Sequence, residues 1–166
     1  NLNEENHSTT WIANKAINSL KKWNEKNNLL MVGFIKPHHP FDPPAPWSNM
    51  YNPDDISLLP GWTEECSTLD NQRHSGMFDY NKLNEKKLKK IMAYYYATIS
   101  HIDSQIGRMI NYLKETGIYD NTMIIYTSDH GEYLGKLWFE SLSNLQGKRL
   151  KKEYEDLTSW IESNEL

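Results

Sequence analysis

An α/β fold with a mostly parallel sheet and flanking helices is what this 166-residue sequence predicts, on three observations. Two apolar runs of strand length, residues 29–35 and 123–126, are continuous rather than alternating, as suits strands buried on both faces by helices. A long helical periodicity lies between them. Each run also stops at ionisable groups, the first at Lys36-Pro37-His38-His39-Pro40 and the second at Thr127-Ser128-Asp129-His130-Gly131. In an open parallel sheet the carboxyl ends of strands line one crevice, so both clusters are expected to face the same place.

The elements follow in order. Ser8-Thr9-Thr10 offers N-caps for a helix whose Trp11, Ile12, Ala16, Ile17, Leu20 and Trp23 share an apolar face. The first strand comes next. All seven prolines then fall between residues 37 and 60, a density that neither a helix nor a central strand survives. Phe41, Trp47, Met50 and Tyr51 interleave with them, which argues for a packed loop. Asp54-Asp55 follows Asn52-Pro53 and reads as a turn; residues 61–80 read as surface loop. Asn84 caps a long helix in which Leu88, Ile91, Met92, Tyr95, Ile99, Ile102, Ile106, Met109, Ile110 and Leu113 recur at threes and fours. Gly117 ends it, and residues 123–126 complete a right-handed crossover. A last helix is expected over residues 150–161, with Tyr154, Leu157, Trp160 and Ile161 on one face.

Composition bounds the function. A hydrophobic content of 38% with 12% aromatics indicates a globular chain despite a mean hydropathy of −0.76, and the length suits one domain. A net charge of −4 gives no basic footprint, so nucleic acid is not expected as a partner. No run approaches the ~20 apolar residues of a membrane span, and no signal segment is read at the N-terminus. The triplet Asn6-His7-Ser8 is discounted as a chance glycosylation signal in an Asn-rich chain. A single cysteine, Cys66, excludes an intrachain disulfide. Localisation stays open.

Three collinear blocks carry a resemblance. Residues 33–41, the stretch Tyr95-Tyr96-Ala97-Thr98-Ile99-Ser100-His101-Ile102-Asp103-Ser104-Gln105-Ile106-Gly107-Arg108, and Asp120-Asn121-Thr122 running into residues 127–131 resemble the sulfatases of the alkaline phosphatase superfamily. The nearest branch is that of choline-sulfatase, iduronate-sulfatase and phosphonate monoester hydrolase. The match covers roughly residues 10 to 135. The resemblance implies an incomplete alkaline-phosphatase-like sandwich, with residues 1–135 as a partial catalytic domain and 136–166 as a helical segment like the family's C-terminal end.

It also implies a chemistry, sulfuric ester hydrolysis by a formylglycine nucleophile, a divalent metal and positioned cations. Lys36 and His38 match residues that hydrogen-bond the ester oxygens, and His38 is placed to protonate the leaving alkoxide. Asp129 and His130 match ligands of a divalent metal, calcium first and magnesium or manganese next. The two further aspartates of that metal site have no counterpart. Cys66 is followed by Thr68 and Asp70 where the family's nucleophile motif needs Pro and Arg, so it is not the nucleophile. The formylglycine is expected in an N-terminal part absent here, with a further section missing after Gly135. The expected substrate is a small-molecule or saccharide sulfate ester. Alternatives are phosphonate or phosphate ester hydrolysis, and an inert fragment that folds with a partner chain or by self-association.

Other residues read more simply. Ser128-Asp129-His130-Gly131 alone would pass for a strand-ending turn. His101 reads as half of an interhelical hydrogen bond, and Asp103 and Arg108 as structural. Tyr94, Tyr95 and Tyr96 point about 100° apart and cannot form one stacking surface. His7 and His74 read as loop residues.

Overall fold

The computed structural model describes residues 3–24, 27–58, 83–132 and 134. These belong to one compact unit, Asn1–Leu58 with Leu83–Leu134. Cys66, His74, the loop over 61–80, the helix over 150–161 and the segment 136–166 lie outside the described residues.

Two helices pack on each other, α1 (Ser8–Leu20) and α2 (Glu85–Glu115). The predicted hydroxyl caps do not cap α1. A 3-10 turn at Glu4–Asn6 delivers His7 in extended backbone, and its Nδ1 accepts from Thr9 N at 3.2 Å. The buried face of α1 is Thr9, Thr10, Ala13, Ala16 and Leu20, while Trp11 is 58% exposed. Trp11 and Ala13 point about 200° apart on a helix, so only one can face the partner. Small residues take that place, which lets the α2 backbone approach.

The ends of α2 form as the sequence predicts. Asn84 Oδ1 accepts from Lys87 N at 3.0 Å. At the other end Gly117 takes φ +74°, Gly117 N donates to Lys114 O and Ile118 N to Leu113 O, both at 3.1 Å. That pair of bonds is a Schellman closure, and glycine meets its left-handed φ without a Cβ penalty. The buried face is more polar than the periodicity implies. Alongside Leu88, Met92, Ala97, Ile102 and Leu113 it holds Thr98, His101 and Gln105, and Ile99 is turned outward.

The proline-rich segment is a packed loop, as its aromatics predict. Pro43 and Pro44 are fully buried, and short 3-10 turns occupy Trp47–Asn49 and Pro53–Asp55. Three aromatics dock on α2: Phe41 edge-on to Tyr95 (5.3 Å), Tyr51 edge-on to Tyr96 (5.8 Å) and Trp47 stacked on His101 (5.3 Å). Tyr51 Oη also shares a 2.8 Å hydrogen bond with Ser100 Oγ. The three consecutive tyrosines serve separate neighbours, since Tyr94 lies under Lys90.

The expected sheet is not formed among the described residues. Among the described residues the only β pairing is an isolated parallel bridge, Asn3 with Ala45. Residues 29–35 and 123–126 form no ladder, and Leu29, Met31 and Met123 are 94%, 93% and 87% exposed. A strand exists only through a neighbour that takes its backbone hydrogen bonds, and neither run has one among the described residues.

Candidate active site

The predicted residues lie on two loops that follow the unpaired runs. In the first, the Lys36 side chain is 9% exposed, and its ammonium donates to the Pro40 carbonyl at 2.5 Å and to Asp42 Oδ1. The chain between these groups is thereby folded back on itself, with cis peptides at Lys36–Pro37 and His39–Pro40. His38 is exposed at the tip and stacks on His39 at 4.1 Å. Its Nδ1 donates to the His39 carbonyl at 2.7 Å. With Nδ1 held by that carbonyl, Nε2 is the ring nitrogen left to meet a ligand.

The second loop is a tight turn made by its own polar groups. Ser128 Oγ donates to His130 O at 2.7 Å, and His130 N donates to Asp129 Oδ1 at 3.0 Å. His130 Nδ1 donates to Gly131 O at 2.8 Å, and Nε2 lies 3.7 Å from Asp129 Oδ2. The backbone N–H of His130 holds the Asp129 carboxyl below its usual range, and the Gly131 carbonyl, helped by Asp129, raises the His130 imidazole.

The donor set suits a cation in type and falls short in number. One carboxylate and one imidazole whose far nitrogen is tied to a backbone carbonyl are the expected arrangement of a metal-binding pair. Calcium takes six to eight ligands, and among the described residues no group of three or more His, Cys, Asp or Glu side chains is placed to hold an ion.

Tyr95 of α2 lies next to the first loop. Phe41 packs on its ring, and Glu132 and Tyr126 act on its hydroxyl, whose pKa is raised chiefly by burial and then by those two groups. Among the described residues, no hydrogen bond or ion pair joins Lys36 or His38 to Asp129 or His130. An open cleft of about 390 Å³, lined by Met50, Tyr51, Asp55, Ile56 and Tyr96, includes none of the four.

A second polar cluster lies beneath the first loop, built on two residues read as structural or incidental. His101 is fully buried, with Nε2 3.1 Å from Thr10 Oγ1 of α1 and 3.7 Å from Glu4 Oε1. The interhelical bond expected of it is present, but its Nδ1 has no partner. Burial drives its pKa down to about 4, with His7 lowering it further and Glu4 opposing. The His7 ring lies 5.1 Å away, is itself buried, and is held below its ordinary pKa by desolvation while Asp42 and Lys36 act on it in opposite senses. Gln105 donates to Glu4 Oε1 at 3.4 Å, and Arg108 donates to Gln105 and to Asn14 of α1, so Arg108 is a helix-to-helix tie.

His7, read as a loop residue, and Asp42 carry no local sequence signal of these roles. His7 sits beside hydroxyl residues that are better caps by type, and Asp42 pairs across six residues, a spacing with no periodic signature.

The family model described as Sulfatase matches residues 1–160. The chain belongs to the sulfatase family. Among sulfatase relatives, an arylsulfatase of Clostridium perfringens is 37% identical over 145 residues, covering 82% of this chain and 29% of the relative. A choline-sulfatase of Rhizobium meliloti is 27% identical over 152 residues, 84% of this chain and 29% of the relative. The crystal structure of phosphonate monoester hydrolase of Agrobacterium radiobacter superposes with a TM-score of 0.65 at 26% identity, over 81% of this chain and 29% of that one. The chain therefore shares the alkaline-phosphatase-like sulfatase fold with this neighbour and spans about three tenths of the length of these proteins.

Proposed function

We propose that this chain is part of a hydrolase of sulfuric esters, acting on a small-molecule or saccharide sulfate. The observation that carries the reading is that the family match runs through both ionisable loops, whose His38 and His130 each tie Nδ1 to a backbone carbonyl. In this reading Lys36 steadies the ester oxygens. His38, protonated at Nε2, gives its proton to the leaving alkoxide while Nδ1 stays on the His39 carbonyl. Asp129 and His130 hold a divalent metal, calcium first, which when bound would neutralise charge on the ester oxygens. The nucleophile is supplied from outside the residues of this chain. Phosphonate monoesters are the neighbouring substrate class, since their tetrahedral group also carries a single charge.

The test is a calcium titration of the chain followed at the His130 ring by NMR, alone and in two variants. Weak binding is expected in the parent, lost in Asp129→Ala and kept in His101→Ala, which should only melt earlier. Metal lost from the His101 variant and kept by the Asp129 variant would place the ligand on α2 and overturn the reading. No turnover of an aryl sulfate is expected from the chain by itself; turnover abolished by Cys66→Ala would show that the nucleophile had been misassigned.

A second reading, an inert fragment that folds fully only with a partner chain or a second copy, is favoured by the exposure of Leu29, Met31, Ile35 and residues 123–126.

A further inference from the structure

The ammonium of Lys36 has three N–H donors, of which Pro40 O and Asp42 Oδ1 take two. One is left for an ester oxygen. Its charge is not left in the same way, because the Asp42 carboxylate offsets it at contact distance and the adjacent His7, desolvated and held neutral, adds none. The corner beside His38 thus offers a directed donor on a locally neutral pair. An ester with one negative charge loses little there, whereas a dianion meets the Asp42 carboxylate without a full compensating cation.

Sulfate and phosphonate monoesters carry one charge at neutral pH. A phosphate monoester, whose second pKa is about 6, carries two above pH 7. The three share tetrahedral geometry, so shape alone does not separate them. We propose that Asp42 is a specificity-determining residue that, by pairing with Lys36, makes this corner select singly charged over doubly charged esters. Asp42 reaches the substrate only through Lys36, and its side chain is half exposed. This proposal rests on the reading of the Lys36 and His38 loop as ester-binding.

The measurement is the ratio of dissociation constants for 4-nitrophenyl sulfate and 4-nitrophenyl phosphate at pH 8, taken from shifts of the His38 ring in the full chain. The parent is expected to bind the sulfate more tightly. Asp42→Asn should move the ratio toward the phosphate by about tenfold, the order expected for one charge near contact in a solvated site. Asp42→Glu, which keeps the charge, should retain the parent ratio. A parent that prefers the phosphate overturns the proposal without any variant. An unchanged ratio in Asp42→Asn, with helical content intact, also overturns it and leaves the ester-binding reading standing. Failure of the parent to bind either ester overturns both.

Discussion

His101 shows how one residue can carry a pH dependence for a whole fold. Its ring is enclosed by Thr10, Glu4, His7 and Trp47, and its pKa is driven to about 4 by burial. The unfolded chain, at about 6.5, therefore binds a proton that the folded chain refuses across the window between those values. Stability from this group is complete above about pH 6.5 and is lost as pH falls toward 4. The loss should be on the order of 3 kcal/mol, read as a drop in urea midpoint between pH 7 and pH 4.5. His7 acts in the same direction. His101→Gln keeps a neutral partner for Thr10 and should flatten the profile; an unchanged slope would assign the acid sensitivity elsewhere.

At the scale of the element, two glycines of the α2 region should respond oppositely to the same substitution. Gly107 lies inside the helix and Gly117 at its left-handed end, and a Cβ would meet nothing within 4 Å at either. The outcome is therefore set by backbone alone. Gly107→Ala should raise stability by roughly 0.5–1 kcal/mol through helix propensity. Gly117→Ala should lower it by about 1 kcal/mol because φ +74° is costly for an L side chain. Thermal melts of the two variants check the signs. Both ends of α2 were legible from Asn84 and Gly117, because a cap acts within a few residues. The buried stripe was half legible: Leu88, Met92, Ile102 and Leu113 follow the apolar period, while Thr98, His101 and Gln105 are buried by what packs over them.

For the molecule as a whole, the exposed apolar runs are the dominant liability. Residues 123–126 and Leu29, Met31 and Ile35 expose several large side chains on backbone that has no β partner among the described residues, the combination that invites edge pairing with another chain. The isolated chain should self-associate, with sedimentation showing a weight-average mass that rises with concentration. Met31→Lys with Ile125→Lys should return it toward monomer without changing helical content. A monodisperse monomer for the parent at high concentration would show that these runs are covered within the chain.

The sequence by itself determined α2 and both its ends, the presence of α1, the irregular proline-rich loop, the membership in the sulfatase family and the two ionisable loops that match it. Each rests on forces that act over a few residues: fixed φ at proline, capping at Asn84, the left-handed φ at Gly117, periodic burial. Only the tertiary structure decided that His7 caps α1, that Asp42 engages Lys36, and that His101 bonds Thr10 across 91 residues of chain. Apolar runs of strand length specify a potential to pair, and pairing needs a neighbour. The reason for the division is that burial and ion pairing depend on which distant segments meet, and no local spacing records that.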